Sequence, residues 1–365
     1  MTGKRFIIAG GGTGGHIFPA VAIANTLRKM NPDAEFLFVG AKGKMEMEKV
    51  PQAGYQIEGL TIAGFNRSSL IKNIGLPLKL IQSFFQVSRI IRKFRPDAVI
   101  GVGGYSSFPV LRFAQSKGIP TFIHEANSFA GKSNMMLAKK AIKVFTATDG
   151  MEKFFPKDKI IISGNPVRKA IINTDTDHET CLNHFGLKSG IKTVLCVGGS
   201  LGAKSINEAI EKDIKLFEEN KLQLIWQTGK PFIGKARAIC ENYKNVYVSD
   251  FITQMEYAYT AADVVISRSG AMSVSELCIV AKPVVFVPYP HAAENHQTAN
   301  AEKLVSKNAA LMIEDKLALT NLIPAVIELT KDNQQQEIMR ENIKKLSISN
   351  ADEIVANEIL NYLNQ

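Results

Sequence analysis

Cysteine is scarce in this chain and thinly spread. Cys181, Cys196, Cys240 and Cys278 form no Cys-x-x-Cys pair, so neither a disulfide framework nor a zinc ribbon is expected, and the thiols read as buried or incidental ones in a reducing compartment. No apolar run reaches the roughly 18 residues that span a bilayer, which excludes a transmembrane helix of the ordinary kind. The N-terminal MTGKRFIIAGG goes straight into a strand-like stretch and a glycine turn, with no signal-peptide core before it. A cytoplasmic location is therefore expected.

Acidic residues are missing altogether between Glu58 and Asp97, where Arg67, Lys72, Lys79, Arg89, Arg92, Lys93 and Arg95 all fall. The same stretch carries Ile74, Leu76, Leu78, Leu80, Ile81, Phe84 and Phe85. Two readings stand for residues 70–95. Cations beside large apolar side chains suit an anionic membrane surface; equally, the segment suits an amphipathic core helix whose outer face is basic. The net charge of +10 comes with no recognised nucleic-acid motif, so nucleic acid is not an expected partner.

With 45% hydrophobic and 21% charged residues in 365, the chain has the composition of a globular protein and the length of two domains. Short apolar runs, each followed by a glycine turn and a helical pattern, recur in two series. The first runs through RFIIAGGG, AEFLFVGAKG, DAVIGVGGYSS, PTFIHEAN, KVFTATD and KIIISGNP; the second through TVLCVGGSLGAKSIN, LQLIWQTG, NVYVSDF, DVVISRSGAMS and PVVFVPYP. Such alternation is the pattern of parallel strands joined by helices. It predicts an α/β fold of two Rossmann-like doubly wound domains facing across a cleft, 1–165 and 166–349. The final helix, 350–365, carries Ile354, Val355, Ile359, Leu360 and Leu363 on one stripe and is expected to pack back on the first domain.

Five of the six residues from Gly10 to Gly15 are glycine, and His16 follows. Gly10, Gly12 and Gly15 match G-x-G-x-x-G after a strand, but the second strand ends in Gly40, Ala41 and Lys42, without the acid that grips a dinucleotide ribose. What remains is a turn whose backbone can approach a ligand closely, with an imidazole at the carboxyl edge of the sheet. That imidazole can serve as a general base, or it can cap or pack locally. In the second half, Gly198, Gly199 and Gly202 bracket Ser200, and Ser-Arg-Ser-Gly at 267–270 opens a helix that carries Glu276. A helix start can meet a diphosphate, a nearby carboxylate can meet ribose hydroxyls, and Arg168 can add a cation.

The ordered set GGTGGHIFPA, GVGGYSSFP, HEANSFAGKSN, GNPVR, GGSLGAKSIN, SRSGAMSVSEL and ENHQTANA resembles the MurG family of peptidoglycan glycosyltransferases, of the two-Rossmann class called GT-B, along essentially the whole chain. The resemblance implies inverting transfer of N-acetylglucosamine from UDP-GlcNAc to the 4-hydroxyl of the muramyl sugar of lipid I, giving lipid II at the cytoplasmic face of the inner membrane. It implies His16 as base on the acceptor hydroxyl, with Thr13, Gly14 and Gly15 as the acceptor-side turn. Asn127 would lie near donor sugar and acceptor, Gln297 on the donor sugar's hydroxyls with His296 beside it, and Glu276 on the ribose. Ser200 and Arg168 would bind phosphate with help from the backbone at Ala271 and Met272, and Ile252 would hold the uracil by backbone contacts. Ala126 departs from the pattern, since many members have glutamine there.

No cofactor and no metal is expected. Asp175-Thr176-Asp177 has the form of a metal-binding Asp-x-Asp, but it lies in the polar stretch between the halves rather than after a strand, and reads as coincidence. A helix N-terminus, Ser200 and Arg168 can neutralise a leaving diphosphate without a metal. His291, Glu294 and His296 have metal-like types without a further matching ligand. Three other functions compete: a nicotinamide-dependent oxidoreductase, opposed by the missing acid; a sugar-nucleotide epimerase, which would act without an acceptor; and a non-catalytic basic binder.

Overall fold

Strands that are apolar on both faces demand cover on both faces, and this chain supplies it twice. The computed structural model describes residues 3–64, 75–173, 175–199 and 201–365. The chain divides into two compact units, Met1–Val167 with Ser349–Gln365, and Arg168–Ile348.

Unit 1 is built on a seven-stranded sheet in which every pairing is parallel. Its strands are β1 (Arg5–Ala9), β2 (Glu35–Ala41), β3 (Gln56–Leu60), β4 (Ala98–Gly101), β5 (Thr121–Glu125), β6 (Lys143–Thr146) and β7 (Ile160–Ile162), in the order β3-β2-β1-β4-β5-β6-β7. One apolar layer packs Phe6, Ile8, Phe36 and Phe38 against α1 (Gly14–Met30) and the C-terminal helix Ala351–Leu363. That helix inserts Val355, Ala356 and Ile359, each fully buried, and Thr26 of α1 donates to buried Asp352 at 2.5 Å. At about 1.5–3 kcal/mol for each large apolar side chain buried, this stripe is what ties the end of the chain to unit 1. The opposite layer packs Ile7, Val39, Val99 and Ile123 under α3 (Leu76–Phe94), through Val87 and Ile91.

Unit 2 carries β8 (Thr193–Val197), β9 (Gln223–Gln227), β10 (Val246–Ser249), β11 (Val264–Ser267), β12 (Val284–Phe286) and β13 (Leu311–Met312), again all parallel, in the order β10-β9-β8-β11-β12-β13. Trp226 is fully buried there and donates its indole N–H to Asn207 at 3.0 Å.

In both sheets the strand order reverses once, between β1 and β4 in unit 1 and between β8 and β11 in unit 2. Chains leaving the two strands at such a point run to opposite faces and open a crevice at the carboxyl edge, which is where doubly wound sheets bind ligands. The two glycine turns singled out in the sequence leave β1 and β8.

Two features add to the sequence reading. Asp177 caps the helix His178–His184, its carboxylate accepting from Thr180 N at 2.9 Å and Thr180 Oγ1 at 2.6 Å; capping explains why this acid stands in Asp-x-Asp. The basic stretch is an amphipathic helix, as one of its readings had it, since Ser83, Val87 and Ile91 of α3 face the interior. Its outer face, however, is apolar as well as basic. Leu78, Ile81 and Phe85, spaced to share one side, are 73%, 55% and 74% exposed, while Leu76 and Phe84 are half-buried. Arg67, Lys72 and Ile74 lie outside the described residues.

Candidate active site

At the switch point of unit 1 the chain turns out of β1 through Gly10, Gly11 and Gly12, all at positive φ. Gly11 N donates to Gly103 O at 3.3 Å, which ties this turn to the one after β4. Thr13 then caps α1 in an extended conformation, with Gly14 and Gly15 in its first turn. The half-buried His16 ring lies over Gly103, where a Cβ would stand 2.8 Å from Nε2. His16 Nδ1 is 2.9 Å from Gly11 O and 3.5 Å from Thr13 Oγ1. A carbonyl oxygen can only accept, so the shorter contact requires a proton on Nδ1 and leaves the lone pair on Nε2. That is the tautomer a base acting through Nε2 needs.

The sequence reading missed the residue beneath this turn. Glu46, in the short helix α2 (Glu46–Gln52), is 1% exposed, and its carboxylate accepts from Gly12 N at 2.8 Å and Ala41 N at 3.0 Å. A second carboxylate shapes the neighbouring turn. Glu125, at the end of β5, accepts from Asn127 N at 3.1 Å, Asn127 Nδ2 at 3.3 Å, Gly131 N at 3.0 Å and Asn134 Nδ2 at 2.8 Å. Asn127 is thus held by backbone and side chain at once. At the departing position, Ala126 contributes its carbonyl, which accepts from Asn165 Nδ2 at 3.0 Å. His124 is fully buried, and burial, with a smaller push from His16, lowers its pKa to about 4 against the hydrogen bond to Gly164 O. It stays neutral wherever the protein works near pH 7.

In unit 2, Gly198 and Gly199 leave β8; Ser200 lies outside the described residues. Across the switch point, Gly270 precedes the helix Ala271–Val280, whose first turn, containing Ala271 and Met272, has no acidic residue. The positive end of this helix therefore carries no carboxylate in its own first turn. Arg268 braces this corner, donating to Val287 O at 2.9 Å, Pro288 O at 3.1 Å and Asp315 Oδ1 at 2.5 Å. An open pocket of about 750 Å³ is lined by Gly199, Gly202, Arg268, Gly270, Tyr289 and Gln297 among others. Gln297 accepts from Tyr289 N at 2.9 Å, and half-buried His296 precedes it at the start of a helix.

Two predicted nucleotide residues meet each other. Arg168 Nη2 is 3.1 Å from Glu276 Oε1, and Tyr259 donates to Glu276 Oε2 at 3.1 Å. Burial raises the Glu276 pKa, against the lowering effect of Arg168 and Tyr259; burial and the Glu276 charge push the Tyr259 hydroxyl well above its usual range. Ile252 is buried and donates its N–H to Gln227 Oε1 at 2.9 Å, while Gln227 Nε2 donates to Gly199 O at 3.2 Å. One buried amide thus couples the glycine turn to the Ile252 segment. Neither Gln227 nor Tyr259 was singled out from sequence. Only the fold brings them to these partners.

Residues 6–146 match the glycosyltransferase family 28 N-terminal domain and residues 193–355 its C-terminal domain. A protein of Phocaeicola vulgatus, named UDP-N-acetylglucosamine--N-acetylmuramyl-(pentapeptide) pyrophosphoryl-undecaprenol N-acetylglucosamine transferase, is 49% identical over 97% of this chain and 95% of its own length. A Parabacteroides distasonis protein of the same name is 49% identical over the full length of both. The chain belongs to the MurG family. The crystal structure of Acinetobacter baumannii MurG superposes with a TM-score of 0.81 at 28% identity, covering 98% of this chain and 99% of that one. This MurG-family chain is therefore a glycosyltransferase with the two-domain GT-B fold.

Proposed function

We propose that this chain transfers N-acetylglucosamine from UDP-GlcNAc to the 4-hydroxyl of the muramyl sugar of lipid I, with inversion and without a metal ion. What supports the reading is the pairing of complementary chemistry with the two switch points. Unit 1 presents an imidazole with its lone pair on Nε2, and unit 2 presents a helix start beside Arg168 and Glu276.

In this mechanism His16 Nε2 takes the proton as the acceptor oxygen bonds to the anomeric carbon. The bond from that carbon to the β-phosphate oxygen breaks on the opposite face, and its electron pair stays with UDP. Negative charge grows on the diphosphate, and the helix start at Ala271 and Met272, Ser200 and Arg168 lower its cost. Arg168 exchanges Glu276 for phosphate when the donor arrives, and Glu276 turns to the ribose hydroxyls. Thr13, Gly14, Gly15 and Asn127 serve the acceptor side, Gln297 and His296 the donor sugar, and Ile252 the uracil.

UDP release from UDP-GlcNAc, measured with and without a lipid I analogue in excess EDTA, tests the whole reading. Release that requires the acceptor and survives EDTA is expected. Release without acceptor would replace the transferase with a hydrolase or epimerase, and loss in EDTA would return Asp175 and Asp177 to consideration.

A lipid-borne acceptor also calls for a membrane contact, and the exposed Leu78, Ile81 and Phe85 with Lys79, Arg89 and Arg92 on α3 suit an anionic leaflet. None of the helices among the described residues is long and apolar enough to cross a membrane, so this contact is peripheral. Replacing Leu78, Ile81 and Phe85 by serine should abolish sedimentation with anionic vesicles; undiminished binding would move the docking site elsewhere.

A further inference from the structure

A carboxylate withdrawn from water is costly unless its oxygens are matched. Glu46 is withdrawn almost completely, and both its matches are backbone N–H groups, one of them in the catalytic turn. The turn is shaped around it. A Cβ on Gly11 would stand 2.3 Å from the Glu46 carboxylate carbon, and one on Gly40 would stand 2.4 Å from its Cγ. Glycine at both positions lets the carboxylate sit against the main chain.

The peptide joining Gly11 to Gly12 is engaged at both ends. Its N–H donates to Glu46 Oε2 at 2.8 Å, and its carbonyl faces His16 Nδ1 at 2.9 Å. Because the peptide is planar, fixing the N–H fixes the direction of the carbonyl. Donation to an anion also polarises the peptide, which makes its oxygen a stronger acceptor. A carbonyl so held and so polarised favours the imidazole with hydrogen on Nδ1, and repels the tautomer that would turn a lone pair toward it.

We propose that Glu46 is the positioning residue of the base, acting on His16 through the Gly11–Gly12 peptide to fix its tautomer and ring orientation. The arrangement serves the purpose of a carboxylate bonded directly to a catalytic histidine, with one peptide group interposed. The catalytic half of this proposal rests on His16 being the base.

The test uses the full chain, histidine-labelled with nitrogen-15, with His16 assigned by the signals lost in His16→Ala. In the unsubstituted protein His16 should show the Nδ1–H pattern; an Nε2–H pattern would overturn the proposal before any variant of Glu46 is made. Glu46→Gln keeps the volume but turns an amide donor toward one of the two N–H groups. It should shift His16 toward a tautomer mixture and lower kcat about 10- to 100-fold, a part of the roughly 10²- to 10⁴-fold that a positioned base supplies. KM for UDP-GlcNAc should stay within about twofold, since the proposed nucleotide ligands lie in unit 2. Combined with His16→Ala, Glu46→Gln should add nothing.

The two ways to fail are distinct. A tautomer unmoved by Glu46→Gln breaks the link from Glu46 to His16, whatever the base is. A His16→Ala protein that keeps its kcat removes the base from His16, and the catalytic role of Glu46 with it. A Glu46→Gln effect that persists undiminished in the His16→Ala background would place Glu46 in some other task.

Discussion

Each unit buries a carboxylate beside a glycine turn, Glu46 in unit 1 and Glu276 in unit 2, and these two are held in opposite ways. Glu46 in unit 1 is bonded by backbone N–H groups of Gly12 and Ala41, partners that cannot swing away without the turn itself moving. Glu276 in unit 2 is bonded by the side chains of Arg168 and Tyr259, and the Arg168 side chain is 41% exposed. A proton acceptor must stand in one orientation before the reaction starts. A nucleotide site must instead keep its charges satisfied while empty and release them when the ligand comes. In the proposed mechanism Glu46 serves the first demand and Glu276 the second.

The sharpest break in this comparison is His16→Ala. It should lower kcat about 10²- to 10⁴-fold and leave KM for UDP-GlcNAc nearly unchanged, because no proposed nucleotide contact comes from unit 1. Steady-state kinetics with a lipid I analogue decide it. A raised donor KM with intact kcat would reverse the roles assigned to the two turns.

Next in size is a difference in how the units respond to acid. His124 in unit 1 has its pKa lowered from 6.5 to about 4 by burial. The folded state keeps it neutral, so its contribution is present above pH 6.5 and lost as pH falls toward 4. The loss amounts to about 3 kcal/mol. Glu276 in unit 2 has the opposite sign. Its pKa is raised above 4.5, again by burial first, so its contribution is present below pH 4.5 and lost as pH rises through the raised value. Denaturant unfolding of the intact chain between pH 4 and 7 checks both. His124→Asn should flatten the acid-side loss, and Glu276→Gln should remove the loss on the other side. Parallel changes in the two variants would contradict the assignment.

How much of this was legible in the sequence depends on distance along the chain. Strands β1, β4, β8 and β11 showed as apolar runs ending in glycine because they are central, parallel and covered on both faces. Strand β3 was missed: Gln56–Leu60 is an edge strand, half-exposed, with Glu58 in its middle. β13 was missed because it is two residues long. The turns around His16 and before Ala271 were visible since each is a local motif, and the family resemblance named their neighbours. Glu46 was not visible, being one acid in MEMEKV, 34 residues from the glycine it holds. The pairing of Arg168 with Glu276 spans 108 residues. No local pattern records a partner chosen by the topology of the sheet.

Tyr259 gives the finest test, because its hydroxyl donates to Glu276. Its hydroxyl is fully buried and donates to Glu276 Oε2 at 3.1 Å; Tyr259→Phe deletes that donor and nothing else of size. One hydrogen bond to a carboxylate contributes about 1.5 kcal/mol at the low end of its range, so KM for UDP-GlcNAc should rise about tenfold with kcat unchanged. If Tyr259 works by aiming Glu276 at the ribose, the effect should vanish in a Glu276→Gln background, where the carboxylate it orients is gone. A Tyr259→Phe loss that survives in that background would mean that the ring supports the helix Met255–Ala261 rather than the carboxylate. A loss in kcat alone would mean that Glu276 is not held for the donor's ground state, and that the contrast with the fixed Glu46 is not one between holding a base and holding a nucleotide.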